Sequence, residues 1–169
     1  LNPIEVIGYG TFAAEAREAG VDGALVVDVP PEESQDLVSA LRAAEIDLVY
    51  LLAPTSTEER VRKIGAVASG FVYYVAVKGV TGAGNLDTGA VGERLGEIRR
   101  HIRLPVGVGF GIKDAATASR VAEVSDAVIV GSAIVGRMEE LASTPERIPT
   151  LVSDFLSELR AGIDAAVKR

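Results

Sequence analysis

The sequence predicts an α/β fold with a parallel sheet, because short apolar runs alternate with segments of helical periodicity. The runs are rich in β-branched residues and too short to be independent helices, which is typical of buried parallel strands. Five such runs begin near Ala24, Leu48, Phe71, Val106 and Ala127. Parallel strands that alternate with helices are joined by right-handed crossovers, and two architectures satisfy this pattern, an open doubly wound sheet and a barrel.

The helices are predicted from the apolar periodicity between these runs. One precedes the first strand, over 11–19, and ends at Gly20. Those that follow the strands cover 32–44, 56–68, 88–101 and 114–124, and a long last helix covers 149–167. The last helix carries an apolar stripe at i, i+4 spacing, formed by Leu151, Phe155, Leu159 and Ile163. We therefore expect the chain to begin inside a strand–helix unit.

Glycines directly follow the last two strands, in Gly109-Phe110-Gly111-Ile112 and Gly131-Ser132-Ala133-Ile134. Glycine at a strand end lets backbone N–H groups approach an anion, and Ser132 can add a hydroxyl while capping a short helix that begins near Ala133. Glycines after strands are also ordinary turn residues. Because glycines directly follow the strand in two adjacent units, we interpret the two segments together as a phosphate clamp.

The position of this clamp favours one of the two architectures. A flavodoxin-like sheet places its phosphate loop after the first strand, whereas the last two strands of a (β/α)₈ barrel hold phosphate. We therefore predict a single domain over residues 1–169, the C-terminal portion of a barrel with about five of its eight units, strands 4 to 8. An incomplete barrel exposes two edges, so we expect self-association through them, complementation by a missing piece, or poor stability in isolation.

The composition excludes several classes of function. The chain has no cysteine and a single histidine, His101, so neither a disulfide framework nor thiolate chemistry nor a histidine-rich metal site is expected. His101 lies at the polar end of a predicted helix, where a solvated cation is favoured. The net charge of −7 argues against a nucleic-acid partner. Short apolar runs and the absence of a signal peptide predict a cytoplasmic protein without membrane contact.

Asp28 is the only carboxylate at a predicted strand end, where barrel enzymes place acid–base residues. A structural hydrogen-bond acceptor for the next loop is the alternative. Tyr73 and Tyr74 are neighbours in one strand, so they point to opposite faces and only one can touch a ligand; both can also be core residues. Glu32 and Glu33 suit a helix start, which makes them structural or interfacial.

The segment 78–87 contains three glycines and is longer than an ordinary loop between a strand and a helix. We interpret it as a lid that excludes water, with Gly82 adding another N–H to the phosphate site. A flexible connector is the alternative. Lys78 allows a rival chemistry, because a strand-end lysine with a lowered pKa forms Schiff bases. A solvated surface amine is the alternative for Lys78.

Several motifs in order along the chain resemble the tryptophan synthase alpha subunit family. They are Asn2-Pro3-Ile4, Gly20-Val21-Asp22-Gly23, Asp28-Val29-Pro30-Pro31-Glu32-Glu33, Gly79-Val80-Thr81-Gly82, Gly109-Phe110-Gly111-Ile112 and Gly131-Ser132-Ala133-Ile134-Val135. The resemblance implies a TIM barrel that cleaves indole-3-glycerol phosphate to indole and glyceraldehyde 3-phosphate by a retro-aldol step. It also implies a heterotetramer in which a beta subunit receives the indole and carries pyridoxal phosphate, this chain needing no cofactor.

The resemblance also implies roles for individual residues. It places Gly82, Phe110, Gly111, Gly131 and Ser132 at the substrate phosphate. It places Val27, Leu51 and Tyr73 around the indole, with Asp28 near the floor of that pocket. Gly79, Thr81 and Gly82 belong to the closing loop, and Lys78 has no catalytic role. The residues expected to face the beta subunit are Asn2, Pro3, Pro30, Glu32 and Glu33.

One departure from the family pattern bears on activity. The family's two catalytic carboxylates are a glutamate in the second strand and an aspartate in the loop after it, and both belong to the N-terminal portion. General acid–base groups each contribute about 10² to 10⁴ in rate. We therefore expect this chain to carry the clamp and the lid, and to be inactive or nearly so alone. The alternatives are a noncatalytic phosphate-binding fragment and a Schiff-base aldolase that uses Lys78.

Overall fold

The computed structural model of the chain describes residues 1–76, 87–109 and 111–166. Its five strands lie in one sheet, in the order β1-β2-β3-β4-β5. They are β1 (Gly23–Leu25), β2 (Asp47–Leu52), β3 (Val72–Val75), β4 (Val106–Gly109) and β5 (Ala127–Ile129). Strand order follows chain order without the reversal that marks a doubly wound sheet, as in a barrel. The predicted α/β class and the sequence of five strands are confirmed.

The described residues form eight helices, with two before β1, one after each of β1 to β4 and two after β5. They are α1 (Asn2–Ile7), α2 (Tyr9–Glu18), α3 (Gln35–Ala43), α4 (Glu58–Val67), α5 (Thr88–Arg99), α6 (Ala115–Ala122), α7 (Ser132–Glu140) and α8 (Ile148–Asp164). Short 3₁₀ turns cover Pro31–Glu33 and Pro145–Arg147. The sequence analysis did not predict α1, although Pro3 in its first turn is an ordinary start signal.

The predicted helix over 32–44 is wrong at its beginning. Glu32 and Glu33 lie in the 3₁₀ turn, and α3 begins only at Gln35. The break falls at Ser34, which is fully buried and donates its hydroxyl to the carbonyl of Pro31 at 2.9 Å. A serine side chain that bonds to the backbone three residues earlier competes with helical hydrogen bonding, so the chain turns before the helix starts.

The chain divides into two compact units, Leu1–Tyr73 with Glu97–Pro105, and Tyr74–Gly96 with Val106–Arg169. The expected single domain over residues 1–169 stays a prediction. In the first unit, β1 and β2 pair in parallel, with Gly23 opposite Asp47 and Leu25 opposite Val49. The core of this unit is apolar, and its most buried side chains include Leu37, Leu41, Leu48, Tyr50, Leu52, Val61 and Ile64.

In the second unit, β4 and β5 pair in parallel and α6 packs against α8. The helices approach closely at Gly162, where a Cβ atom would lie 2.5 Å from the carbonyl oxygen of Ala115. The predicted apolar stripe of α8 is confirmed, since Phe155 and Leu159 are buried and Leu151 and Ile163 are half-buried.

His101 lies just beyond a helix end, since helix α5 ends at Arg99. The residue is exposed, as predicted, and 26% of its side chain is accessible. Its Nε2 atom lies 3.3 Å from a carboxylate oxygen of Glu58 at the start of α4, a contact that the sequence analysis did not predict.

Candidate functional site

The carboxyl ends of three strands meet at one edge of the second unit. The N–H group of Ala76, directly after β3, donates to the carbonyl oxygen of Gly109 at 3.1 Å. Gly109 is in turn opposite Ile129 in the register of β4 and β5. The segments that contain Gly111 and Gly131 therefore leave the sheet side by side, which is the arrangement a clamp made from two strand ends requires.

Gly111 adopts a backbone conformation that favours glycine. Its φ angle is 35°, in the left-handed region, the residue is exposed, and a Cβ atom added there would have no heavy atom within 4 Å. The next residue, Ile112, is 2% exposed and fixes the segment to the core. The backbone at Gly111 is thus open to a ligand while the chain on its C-terminal side is anchored.

Ser132 does not cap the helix, contrary to the sequence prediction. Helix α7 begins at Ser132 itself, its N-cap is Gly131, and no side chain of the N-cap accepts a hydrogen bond from the first turn. The carbonyl of Gly131 accepts from Ile134 N at 2.9 Å and from Val135 N at 3.1 Å. Because the backbone reaches helical geometry one residue earlier than expected, the hydroxyl of Ser132 is exposed and available to a ligand.

The start of α7 has the electrostatic character of an anion site. The first N–H groups of a helix have no intrahelical acceptor, and the helix dipole concentrates partial positive charge there. The N-cap of α7 is Gly131, which has no side-chain oxygen to accept from these N–H groups. Both Gly131 and Ser132 are exposed. An anion at this position would receive backbone hydrogen bonds without needing a lysine or arginine.

Several predicted site residues lie outside the described residues. They are the lid residues Gly79, Thr81 and Gly82, the rival nucleophile Lys78, and Phe110 of the clamp. Gly82 also belongs to the predicted phosphate site. These assignments stay predictions.

The paired tyrosines of β3 point to opposite faces of the sheet, as predicted. Burial alternates along the strand, with Val72 and Tyr74 buried and Tyr73 and Val75 half-buried. The more covered face belongs to the core, where Tyr74 is 3% exposed. Tyr73 is therefore the tyrosine that has a partly open face for a ligand.

Leu51 and Val27 occupy different environments in the first unit. Leu51 lies on β2 and is half-buried, while its neighbours Tyr50 and Leu52 are buried on the opposite face. Val27 lies beyond the end of β1 in a turn, and 73% of it is exposed. An aliphatic side chain with this exposure makes few contacts in the described residues and has room to contact a ligand or another chain segment.

Asp28 is not at a strand end, because β1 ends at Leu25 and Asp28 lies in the following turn. Its side chain is 59% exposed. The role of Asp28 as an acid–base residue or as a structural hydrogen-bond acceptor stays a prediction.

The residues predicted to face a partner lie at the surface of the first unit. Asn2, Pro3, Glu32 and Glu33 are exposed, and Pro30 is half-buried. Glu32 is held by Lys63 of α4, whose Nζ lies 2.7 Å from its carboxylate and 2.9 Å from that of Glu59. This hydrogen bond lowers the pKa of Glu32, and the two carboxylates raise the pKa of Lys63.

Two contacts near the site were missed by the sequence analysis. Lys63 joins α4 to the 3₁₀ turn at Glu32, and the guanidinium of Arg137 lies 3.5 Å from the ring centroid of Phe155. Both pairs are far apart in sequence, so no local periodicity or motif could have indicated them. The signals available in the sequence were a lysine on α4 and an arginine on α7, and such side chains are ordinarily solvated.

Within the ranges that the structure describes, no three carboxylate, imidazole or thiolate groups are arranged to hold a metal ion. Among the helices of these same ranges, none is both long and apolar enough to cross a membrane.

Comparison with known proteins gives the chain a family. The family model described as "Tryptophan synthase alpha chain" matches residues 1–163. The tryptophan synthase alpha chain of Burkholderia pseudomallei (strain 1106a) is 57% identical over 167 residues, which are 99% of this chain and 61% of that protein. The chain thus spans about three fifths of the length of the curated relatives it matches.

Solved structures agree with this match. Tryptophan synthase subunit alpha from Legionella pneumophila str. Paris superposes with a TM-score of 0.85 at 35% identity, over 96% of this chain and 60% of that one. The tryptophan synthase α2β2 complex from Pyrococcus furiosus contributes a chain with a TM-score of 0.81 at 35% identity, over 95% of this chain and 64% of that one. The matched family and the similar structures show that this chain belongs to the tryptophan synthase alpha chain family and has the α/β fold of its TIM barrels.

Proposed function

We propose that this chain forms the phosphate-binding and indole-contacting part of a lyase that cleaves indole-3-glycerol phosphate to indole and glyceraldehyde 3-phosphate. The observation that carries the proposal is the open N-terminus of α7, which follows β5 directly and has no side-chain cap. Membership of the tryptophan synthase alpha chain family supports this reaction, which the resemblance in sequence implies.

The substrate phosphate binds at the start of α7 in this proposal. The backbone N–H groups of Ser132 and Ala133 and the hydroxyl of Ser132 donate to phosphate oxygens, and the segment at Gly111 closes the site from the neighbouring strand. The register of β4 and β5 supports this pairing, because it brings the two segments side by side. Gly82 and Phe110, outside the described residues, complete the proposed clamp.

The indole ring contacts the half-buried faces of Leu51 and Tyr73. Both side chains lie on strands of the first unit, so their positions are fixed by backbone hydrogen bonding rather than by loop conformation. The exposed Val27 contributes a further apolar contact. Asp28 follows Val27 directly, and the family resemblance places it near the floor of this pocket.

The acid and the base for proton transfer come from outside these 169 residues in this proposal. The chain spans 61% of the length of the Burkholderia relative, which leaves room for them in the remainder of the family's length. The retro-aldol step needs proton transfer at the indole ring and at the glycerol hydroxyl. We therefore propose that residues 1–169 alone bind the phosphate ligand without turning it over.

A beta subunit is the proposed partner and carries the pyridoxal phosphate. The support is the similarity to a chain of the Pyrococcus furiosus α2β2 complex. The facing residues are Asn2, Pro3, Pro30, Glu32 and Glu33, all at least partly exposed in the first unit. The ion pair of Glu32 with Lys63 fixes one part of this surface.

The test uses the longer protein in which residues 1–169 are joined to the segment that supplies the acid and the base, here called the intact protein. Indole release from indole-3-glycerol phosphate is measured for this protein and for its Tyr73→Leu variant. Loss of a ring contact corresponds to about a three- to tenfold rise in KM. Tyr9→Leu is the matched control, since Tyr9 lies on α2 rather than on a strand and its hydroxyl donates to Glu5. An intact protein that releases no indole contradicts the proposed reaction, and an unchanged KM in Tyr73→Leu contradicts the placement of the indole.

A further inference from the structure

Among the described residues, helix α7 is held mainly by half-buried side chains that pack on α8. None of its nine residues is fully buried, and its N-cap Gly131 makes no side-chain hydrogen bond. A helix of this length has marginal intrinsic stability, so its orientation depends on packing. A phosphate site at its first turn nevertheless requires the N–H groups to point in one fixed direction.

The side chain of Arg137 links the first turn of α7 to the core of the second unit. Arg137, in the last turn of α7, places its guanidinium 3.5 Å from the ring centroid of Phe155 on α8. Its Nη1 also donates to the carbonyl oxygen of Ala133 at 3.0 Å. Phe155 is 4% exposed, so the ring to which α7 is tethered is itself fixed.

The geometry suits an arginine for two reasons. Helical side chains lean towards the N-terminus, which brings the guanidinium of Arg137 back over the preceding turn to the carbonyl of Ala133. The planar guanidinium also stacks on an aromatic face, which the ammonium of lysine does less well. A cation within about 6 Å of a ring centroid is attracted by the ring, and more strongly when both are partly desolvated, as here.

We propose that Arg137 is a positioning residue that holds α7 against α8 and so orients the phosphate site at Ser132. The inference rests on the proposed function and deepens it. Arg137 does not touch the phosphate in this proposal. It raises the population of the orientation of α7 that is competent to bind, and a ligand's apparent affinity falls in proportion when that population falls.

The test compares two substrates in the intact protein, indole-3-glycerol phosphate and the same compound without its phosphate. For Arg137→Met we expect about a three- to tenfold rise in KM for the phosphorylated substrate, the range of a partly desolvated cation–π contact. We expect kcat to stay within about twofold. Without the phosphate, variant and wild type should have the same kcat/KM, because only the phosphate uses α7.

Three variants separate positioning from general loss of structure. Arg137→Lys keeps the charge without the planar stack and should give an intermediate KM. Phe155→Leu keeps apolar volume but removes the ring, and combined with Arg137→Met it should add little to KM, since both remove one contact. Arg147→Met removes an exposed arginine just before α8 and should leave the KM for both substrates unchanged.

The outcomes are distinct. A KM in Arg137→Met equal to that of wild type overturns the inference, and so does an equal loss with both substrates, which indicates a structural role. Additive effects of Arg137→Met and Phe155→Leu also overturn it. If the wild-type protein has the same kcat/KM for the substrate with and without its phosphate, the proposed function is overturned, and the inference with it.

Discussion

Helices α6 and α7 follow neighbouring strands, yet they begin in opposite ways. At α6 the side chain of Asp114 accepts hydrogen bonds from the N–H of Thr117 at 2.7 Å and from its hydroxyl at 2.6 Å. At α7 the cap is Gly131, which has no side chain to serve the first turn. One helix satisfies its own N-terminus with a built-in anion, and the other leaves it open.

The two helices also differ in how they are anchored. Thr117, Ala118, Val121 and Ala122 of α6 are buried, and α6 approaches α8 closely at Gly162. Helix α7 buries no residue completely within the described residues, and its Arg137 stacks on Phe155 of α8. The helix start that is stabilised by a cap is therefore not the one that is free to bind an anion. A capped helix gains stability and loses its anion site, whereas an uncapped one keeps the site.

The largest effect is expected from placing a carboxylate on the first residue of α7, next to its uncapped N-terminus. In Ser132→Asp, the new charge competes with the substrate phosphate for the same N–H groups and repels it. Two like charges about 4 Å apart repel by about 1 kcal/mol in water and about 4 kcal/mol near a protein surface, which corresponds to a rise in KM of about 5- to 1,000-fold for indole-3-glycerol phosphate. Steady-state kinetics of indole release measures it.

Ser132→Asn is the control for Ser132→Asp, because it has a similar size and no charge. Its effect on KM should be clearly smaller. Equal effects of the two variants would mean that shape rather than charge governs the start of α7, and would remove the contrast with α6.

The anchoring of α6 is tested by Gly162→Ala. A Cβ atom there would lie 2.5 Å from the carbonyl oxygen of Ala115, so the two helices must separate. Overpacking of this kind lowers the free energy of unfolding by about 1–3 kcal/mol. Urea denaturation monitored by circular dichroism gives the value.

Gly96→Ala is the matched control for that substitution. Gly96 lies in α5 with no heavy atom within 4 Å of the added carbon, so alanine should raise the free energy of unfolding by about 0.5–1 kcal/mol. A Gly162→Ala variant as stable as Gly96→Ala would show that α6 is no better anchored than α7.

The smallest expected effect concerns the pH dependence of the α6 cap. Hydrogen bonds from Thr117 lower the pKa of Asp114. A carboxyl group with a lowered folded-state pKa stabilises the fold above its unfolded pKa of about 3.9, and this contribution is lost as the pH falls through the folded-state value. The urea midpoint of wild type should therefore fall between pH 7 and pH 3 by more than that of Asp114→Asn.

Asparagine is also a good N-cap but does not titrate, so Asp114→Asn isolates the ionisation, while Asp114→Ala should lower the midpoint at every pH. Parallel pH curves for wild type and Asp114→Asn would contradict the assignment of this pKa shift to the cap.

The main features of the fold were predictable because they depend on local periodicity. Apolar runs located the five strands, and the i, i+4 stripe of α8 identified the buried Phe155 and Leu159. Period-two alternation placed Tyr73 and Tyr74 on opposite faces. The ends of elements were less predictable. Burial of Ser34 broke the helix expected at Glu32, and β1 stopped before Asp28.

The sequence by itself determined the order of strands and helices and the glycine-bearing segments after the last two strands, because these follow from residues close together along the chain. Only the tertiary structure decided which helix start is open. It showed Asp114 filling the N-terminus of α6 and Gly131, rather than Ser132, at the cap of α7. It also placed Arg137 on Phe155. Such contacts depend on where side chains distant in sequence meet after packing, which no local pattern encodes.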